Sequence, residues 1–234
     1  MKKENNIKIV LFDMEGTLFK GVGIRADGSR SVSAWALLAE RMGPAVNAAE
    51  FEHYKKWRRG EYASYLPWME DTSALFKKEG ITKDFFDQTI NSMGYVSGVK
   101  ETFTALHGSG IRTGVITGGF YEQAEKAMKE LGLGHARASS RFFWDEHGVL
   151  SHWEFEEHGL EGKIRAAQEI AAHYGVPLKD CAFVGDGDND VHVAKAVGTS
   201  IAFNGEEKLR QVATHAVDQE KGKEDFRVIL DYLL

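Results

Sequence analysis

Short apolar runs alternate with amphipathic stretches along most of the chain, and this alternation predicts its elements. The first run, residues 7–12, is apolar and β-branched and too short for a helix, so it predicts a buried strand. Further strands are predicted at 112–116, 135–139, 181–184 and 200–203, with a hairpin over 142–155 around His147-Gly148. Helices are predicted at 99–106, 121–131, 163–174, 190–197, 206–212 and 224–233. Alternating strands and helices favour an α/β fold, with a parallel sheet and helices on both faces.

A block without strand-like runs follows the first strand. A polar segment with a predicted turn at Asp27-Gly28 leads into it. Four helical stretches then follow, punctuated by Pro44, Gly60 and Gly80, at residues 33–42, 48–59, 63–78 and 83–93. We therefore predict a core formed by residues 1–20 and 95–234, with a helical-bundle cap inserted at residues 21–94.

Composition and charge narrow the classes of function. Hydrophobic residues make up 43% of the 234 residues and charged residues 27%, which is typical of a packed globular protein. The net charge of -6 argues against non-specific nucleic-acid binding. No apolar stretch is long enough for a signal peptide or a membrane span, and the single cysteine, Cys181, lies in an apolar run. These features predict a cytoplasmic protein without nucleic-acid or membrane partners, as a monomer or a homodimer.

Three polar loops follow predicted strands. They are residues 13–17, residues 117–119 and residues 185–190, and together they carry five carboxylates. Ligands of open α/β sheets bind beyond the carboxyl ends of the strands, so these loops form one site if their strands are neighbours. Clustered carboxylates repel one another, and a bound hard cation removes that cost. Oxygen ligands without cysteine favour magnesium over zinc, and Asp13 and Asp186 suit that role.

The third loop also has the spacing of a calcium-binding loop. Asp186, Asp188 and Asp190 alternate as they do at the start of an EF-hand. However, residues 191–197 lack the closing glutamate of an EF-hand, and the loop follows a strand rather than a helix. The combination of three loops in order therefore favours a catalytic site.

The same loops resemble motifs of the haloacid dehalogenase superfamily. Residues 13–18 (DMEGTL) resemble its first motif, residues 115–120 (VITGGF) its second and residues 185–190 (GDGDND) its fourth. Within the superfamily the chain is most similar to phosphoserine phosphatases, which also carry a helical insertion after the first motif. The resemblance covers residues 7–18 and 98–203. It implies a Rossmann-like core and a Mg²⁺-dependent phosphomonoesterase that acts on a small phosphorylated metabolite.

The resemblance also implies roles for the acidic residues. Asp13 would attack phosphorus and form an aspartyl-phosphate, the usual covalent role of a carboxylate. Glu15 would protonate the leaving alcohol and then activate water, and its backbone carbonyl would reach the Mg²⁺. Asp186 would complete the metal site, with Asp190 in support.

Phosphate binding is implied for the second motif and part of the fourth. The Thr117 hydroxyl and the amides of Gly118 and Gly119 would hold the phosphoryl oxygens, and Asn189 would support them. The family also needs a lysine between its second and fourth motifs, and Lys163 is the only one in residues 130–178. A cation there would stabilise the nucleophile and the phosphate.

Two departures from the family pattern concern the acid and the substrate. The family usually has Asp where this chain has Glu15. Phosphoserine phosphatases also carry an acid soon after the first motif, where Val22 stands here, and an arginine in the cap. Asp27 with Arg58 or Arg59 could replace that pair, so the substrate stays open. A phosphotransferase and a non-catalytic regulatory protein on the same fold are the alternatives.

Overall fold

The computed structural model describes residues 6–21, 23–156, 160–220 and 222–234, without the side chains of residues 160 and 161. The strands in these ranges are β1 (Ile9–Phe12), β2 (Gly23–Ile24), β3 (Arg30–Ser31), β4 (Arg112–Phe120), β5 (His135–Trp144), β6 (Leu150–Phe155), β7 (Cys181–Gly185), β8 (Thr199–Phe203) and β9 (His215–Val217). The α-helices are α1 (Ala34–Met42), α2 (Pro44–Arg58), α3 (Tyr65–Lys78), α4 (Lys83–Asn91), α5 (Val99–Gly108), α6 (Tyr121–Leu131), α7 (Leu160–His173), α8 (Val191–Ala196), α9 (Glu207–Arg210) and α10 (Leu230–Leu233).

Seven strands form one sheet in the order β6-β5-β4-β1-β7-β8-β9, and β2 and β3 form a separate hairpin. The first strand lies between β4 and β7, parallel to both, and Phe12 pairs with Val115 on one side and Val184 on the other. The three strands that precede the polar loops are therefore neighbours, as the sequence interpretation required.

Alternate residues of β1 face two apolar layers. Val10 and Phe12 belong to a core that also contains residues of α5, α6 and α10. Ile9 and Leu11 belong to a second core with residues of α7 and α8. Burial on both faces explains why the strand reads as a continuous apolar run, and it confirms the predicted Rossmann-like α/β fold.

The sheet is mixed rather than purely parallel, because β6 pairs antiparallel with β5 at one edge. The predicted hairpin is confirmed, with Gly148 at φ +76° in its turn and the Asp145 carboxylate accepting from the backbone of His147 and Val149. At the opposite edge, β9 is a three-residue strand that the periodicity did not reveal. The predicted helices at 206–212 and 224–233 are shorter, since α9 spans four residues and α10 follows the 3₁₀ turn Phe226–Ile229.

The insertion after β1 contains the predicted turn and four helices. Gly28 adopts φ +81° in the turn between β2 and β3. Trp35 of α1 packs against Phe120 and Phe142 of the main sheet, with ring centroids 4.5 and 5.7 Å apart. The inserted helices thus share one apolar core with the sheet. None of the described helices has the length and apolar character that a membrane span requires.

Candidate active site

The loop after β1 places Asp13 at the carboxyl edge of the sheet. The Asp13 N–H donates to Val184 O at 2.9 Å, which ties the first loop to β7. Gly16 follows at φ +85°, and a Cβ on it would overlap the Asp186 carboxylate, so this position requires glycine. The Thr17 hydroxyl donates to Asp186 Oδ1 at 3.0 Å. The first and third loops are therefore in direct contact.

Lys163 of α7 bridges two of the carboxylates. Its Nζ donates to Asp13 Oδ1 at 2.7 Å and to Asp190 Oδ1 at 2.6 Å. The lysine is fully buried, and Asp13 and Asp190 are nearly so. The sequence interpretation singled out this lysine, and the structure places its ammonium beside the predicted nucleophile.

Three carboxylates form a cluster that could hold a cation. One oxygen from each of Asp13, Asp186 and Asp190 lies within 4.8 Å of the others. Asp190 is already engaged, because its Oδ1 accepts from Lys163 and its Oδ2 accepts from the backbone of Asp186 and Gly187 at 3.1 Å. Asp13 and Asp186 each keep one oxygen without a hydrogen bond among the described residues. These two oxygens are the better candidates for metal ligands.

The electrostatics of the cluster fit a divalent cation. Burial, together with the Asp190 charge, raises the pKa of Asp13 to about 6, although Lys163 opposes this rise. Burial and the charges of Asp13 and Asp190 raise the pKa of Asp186 well above its usual value. Burial disfavours the Lys163 ammonium, but its two carboxylate partners outweigh burial and raise its pKa. One ammonium does not neutralise three carboxylates, and a hard cation with oxygen ligands would remove the excess repulsion.

Glu15 turns towards the inserted helices rather than the carboxylate cluster. Its Oε1 accepts from the Ala34 N–H at 2.8 Å, at the start of α1, where Ser33 is the N-cap. A Cβ on Gly119 would lie 3.2 Å from the same oxygen, so the carboxylate also adjoins the second loop. Burial, followed by the Asp13 charge, raises the pKa of Glu15 to about 7. The helix start thus holds the longer side chain that stands in place of the usual Asp.

A β-bulge shapes the second loop. The pairing of β4 with β5 shifts register between Thr117 and Phe120. The Gly119 N–H donates to Thr117 Oγ1 at 3.0 Å, so this amide is engaged within the loop. On the other side, the Ser140 hydroxyl donates to Gly118 O at 3.3 Å. In this arrangement the Thr117 hydroxyl proton and the Gly118 amide are the groups available to an anion.

Two polar residues of the third loop lie apart from the carboxylate cluster. Asn189 is exposed, in the 3₁₀ turn Asp188–Asp190. The Asp188 carboxylate accepts from Lys208 at 2.8 Å, and its backbone N–H donates to Glu206. The structure therefore brings together four of the five loop carboxylates, with Glu15 displaced towards α1, and leaves Asp188 outside.

Tyr65 of α3 reaches the site from the insertion, which the sequence interpretation did not foresee. A Cβ on Gly118 would lie 3.4 Å from the Tyr65 hydroxyl oxygen. Burial raises the pKa of Tyr65, and the charges of Glu15, Asp13 and Glu50 raise it further. The sequence interpretation assigned Tyr65 to the apolar interior of the cap, and its aromatic character carries no signal that distinguishes the two roles.

The three polar loops, in this order on adjacent parallel strands, agree with a family comparison. Residues 7–198 match the family described as haloacid dehalogenase-like hydrolase. The chain belongs to this family. The match covers more than half of the chain and includes all three loops, which confirms the resemblance seen in the sequence.

Phosphoserine phosphatases are among the similar members of this hydrolase family. Phosphoserine phosphatase SerB2 of Mycobacterium tuberculosis is 28% identical over 207 residues, which are 88% of this chain and 46% of that protein. The phosphoserine phosphatase of Methanocaldococcus jannaschii is 30% identical over 167 residues, which are 68% of this chain and 75% of that protein. The chain thus spans less than half the length of the mycobacterial relative.

Solved structures share the fold over the whole chain. A structure described as a phospho-aspartyl intermediate analogue of phosphoserine phosphatase superposes with a TM-score of 0.79 at 25% identity. The superposition covers 97% of this chain and 99% of that one. The likeness therefore includes the inserted helices as well as the sheet.

Proposed function

We propose that the chain is a Mg²⁺-dependent phosphomonoesterase that acts on a small phosphorylated metabolite through an aspartyl-phosphate. The carrying observation is the position of Asp13, whose Oδ1 accepts from the buried Lys163 while Oδ2 accepts no hydrogen bond from the described residues. A carboxylate held in this way is oriented for attack. The solved phospho-aspartyl analogue of a related protein supports the same chemistry.

Magnesium would be held by Asp13 and Asp186, with the Glu15 carbonyl as the third protein ligand expected from the family resemblance. The donor set is entirely oxygen, as Mg²⁺ prefers, and Mg²⁺ usually takes only one or two carboxylates from the protein. When bound, the ion supplies positive charge against the phosphoryl oxygens. Asp190 supports this arrangement through its bonds to Lys163 and to the backbone of the third loop.

The reaction has two displacements. In the first, Asp13 attacks phosphorus, the bond to the leaving oxygen breaks, and Glu15 donates a proton to that oxygen. In the second, water attacks the aspartyl-phosphate, Glu15 takes up a proton, and phosphate leaves Asp13 as a carboxylate. Glu15 suits both steps, because a carboxyl with a pKa of about 7 is present in both forms at neutral pH.

Lys163 and the second loop would hold the charge that moves during transfer. The Lys163 ammonium keeps Asp13 in one orientation and lies where it can face a phosphoryl oxygen. The Thr117 hydroxyl and the Gly118 amide, with Gly119 in support of Thr117, would bind the other oxygens. Asn189 remains a proposed supporting residue at the rim. Electrostatic stabilisation of this kind is the main demand of phosphoryl transfer.

We propose that residues 21–94 act as a cap over a core formed by residues 1–20 and 95–234. Two contacts support a cap that adjoins the chemistry: Ala34 donates to Glu15, and Tyr65 adjoins Gly118. Arg58 of α2 also lies 3.8 Å from Glu206 of the core. The buried Cys181 suits a reducing compartment, and we propose a cytoplasmic location with a monomer or homodimer.

Hydrolysis of p-nitrophenyl phosphate tests the proposed function. Chelation should stop turnover, and Mg²⁺ should restore it better than Ca²⁺, which takes more ligands at longer distances. Asp13→Asn should abolish turnover, whereas Asp188→Asn, in the outward-facing part of the third loop, should stay within tenfold of the wild type. Full activity in excess chelator, or in Asp13→Asn, would refute the mechanism. Phosphate release measured with added alcohols separates hydrolysis from transfer.

A further inference from the structure

Glu50 is a buried acid in the inserted helices that the proposed reaction does not use. It lies on α2, on the same side of the helix as Val46, and only 1% of its surface is exposed. Both carboxylate oxygens are buried, and neither has a hydrogen-bond partner among the described residues. A buried acid in this state is costly, and such groups call for a bound partner.

The surroundings of Glu50 are polar and lack partners. Ten buried side-chain atoms in the described ranges have no hydrogen-bond partner, and seven of them belong to residues 21–94. Besides the two Glu50 oxygens, these atoms are Arg25 Nε, Trp35 Nε1, Asn47 Oδ1, Trp68 Nε1 and Ser73 Oγ. Native interiors leave few such groups unpaired, so their concentration in the insertion indicates a space meant for a polar ligand.

Tyr65 links Glu50 to the reacting groups. Its hydroxyl adjoins Gly118 of the second loop, and the charges of Glu15, Asp13 and Glu50 all act on its phenol, whose pKa they raise in addition to burial. Since one side chain is close enough to feel all three acids, Glu50 lies on the side of the insertion that faces the site. A group attached to the leaving oxygen would extend towards it.

The charge of Glu50 is not neutralised by the protein. Arg25 is the nearest cationic influence, but its guanidinium lies over the Tyr54 ring at 3.7 Å, and no ion pair joins it to Glu50 in the described ranges. The arginines expected from the sequence are used elsewhere, since Arg58 lies beside Glu206 and Arg59 donates to Glu61. Asp27, the expected acid, is exposed in its turn, and Val22 lies outside the described residues.

We propose that Glu50 binds a protonated primary amine on the leaving alcohol, so that phosphorylated amino alcohols are the substrate class of this site. The inference rests on the proposed phosphatase function. An ammonium supplies both the missing positive charge and N–H donors for two acceptor oxygens. A neutral hydroxyl would leave the charge uncompensated, and a single carboxylate does not suffice for a metal ion.

Two esters of equal size test the proposal. O-phosphoethanolamine and 2-hydroxyethyl phosphate differ only in an ammonium against a hydroxyl. We expect the wild-type kcat/KM to be about tenfold or more higher for the amine, as a buried charged hydrogen bond implies. Glu50→Gln should lower kcat/KM for the amine by about tenfold or more and change the hydroxyl ester less than about twofold. Glu52→Gln, on the exposed face of the same helix, should change neither.

Each other outcome counts against the proposal. Equal wild-type kcat/KM for the two esters would overturn it without any variant, even if Glu50→Gln fails to fold. An equal loss for both esters in Glu50→Gln would make Glu50 structural and also overturn it. If p-nitrophenyl phosphate is hydrolysed with dependence on Asp13 in these cases, the proposed function survives alone. If no ester is hydrolysed, the proposed function fails, and this inference fails with it.

Discussion

Replacement of Glu50 by Gln should alter the pH dependence of folding stability, whatever the substrate. Burial raises the pKa of Glu50 from 4.5 to about 7, and Arg25 only partly opposes the rise. Below pH 4.5 the acid is protonated in the folded and unfolded chains, so it costs no charge burial. Between pH 4.5 and 7 the unfolded chain releases the proton first, and stability therefore falls as pH rises. Above pH 7 the full cost is present.

The size of this effect follows from the same two values. A rise from 4.5 to about 7 corresponds to about 3 kcal/mol, at about 1.36 kcal/mol for each pKa unit. Since Glu50 is 1% exposed, solvent screening reduces this figure little. The glutamine amide adds a buried donor that costs about 1–3 kcal/mol, but this cost is the same at every pH. The stability of Glu50→Gln relative to wild type should thus improve by about 3 kcal/mol between pH 4 and pH 9.

Urea denaturation followed by tryptophan fluorescence measures this difference across the pH range. The stability curves of wild type and Glu50→Gln should diverge between pH 4.5 and 7 and run parallel above it. The control Glu52→Gln removes an exposed acid whose pKa its hydrogen bond with Lys55 lowers, so any effect should be small and of opposite sign. Parallel curves for wild type and Glu50→Gln from pH 4 to 9 would show that Glu50 is not a buried, unpaired acid.

Further variants test the site itself. Glu15→Gln should slow hydrolysis of alkyl phosphates by about 100- to 10,000-fold and of p-nitrophenyl phosphate less, because a good leaving group needs no proton; equal losses would rule out general-acid catalysis. Lys163→Met should destabilise the fold by about 3–5 kcal/mol in urea denaturation, because it strands two buried carboxylates, whereas Lys208→Met breaks an exposed pair and should cost less than about 1 kcal/mol. Similar costs for the two lysines would contradict the buried bridge. Gly16→Ala should lower activity at least tenfold, since its Cβ overlaps a cluster carboxylate, while Gly28→Ala has a similar positive φ in open space and should leave activity unchanged; equal activities would mean that the loop adapts.

The sequence by itself determined the elements and the order of the polar loops. Apolar runs with two-residue or 3.6-residue periods are local patterns, so β1, the inserted helices and the hairpin after β5 could be predicted without a partner. The family resemblance and the choice of Lys163 also came from the linear order of residues, since no other lysine stands between the second and fourth motifs. Short elements such as β9 carry too few residues for a period.

Only the tertiary structure decided which side chains meet. Lys163 lies 150 positions from Asp13, and no local pattern states that its ammonium reaches that carboxylate. The alternating acids of the third loop read alike in the sequence, yet the 3₁₀ turn directs Asp188 outwards and buries Asp190. Glu50 reads as one more charge on a solvated helix until packing removes its water. Burial and pairing depend on contacts between distant segments, and these contacts form only when the chain folds.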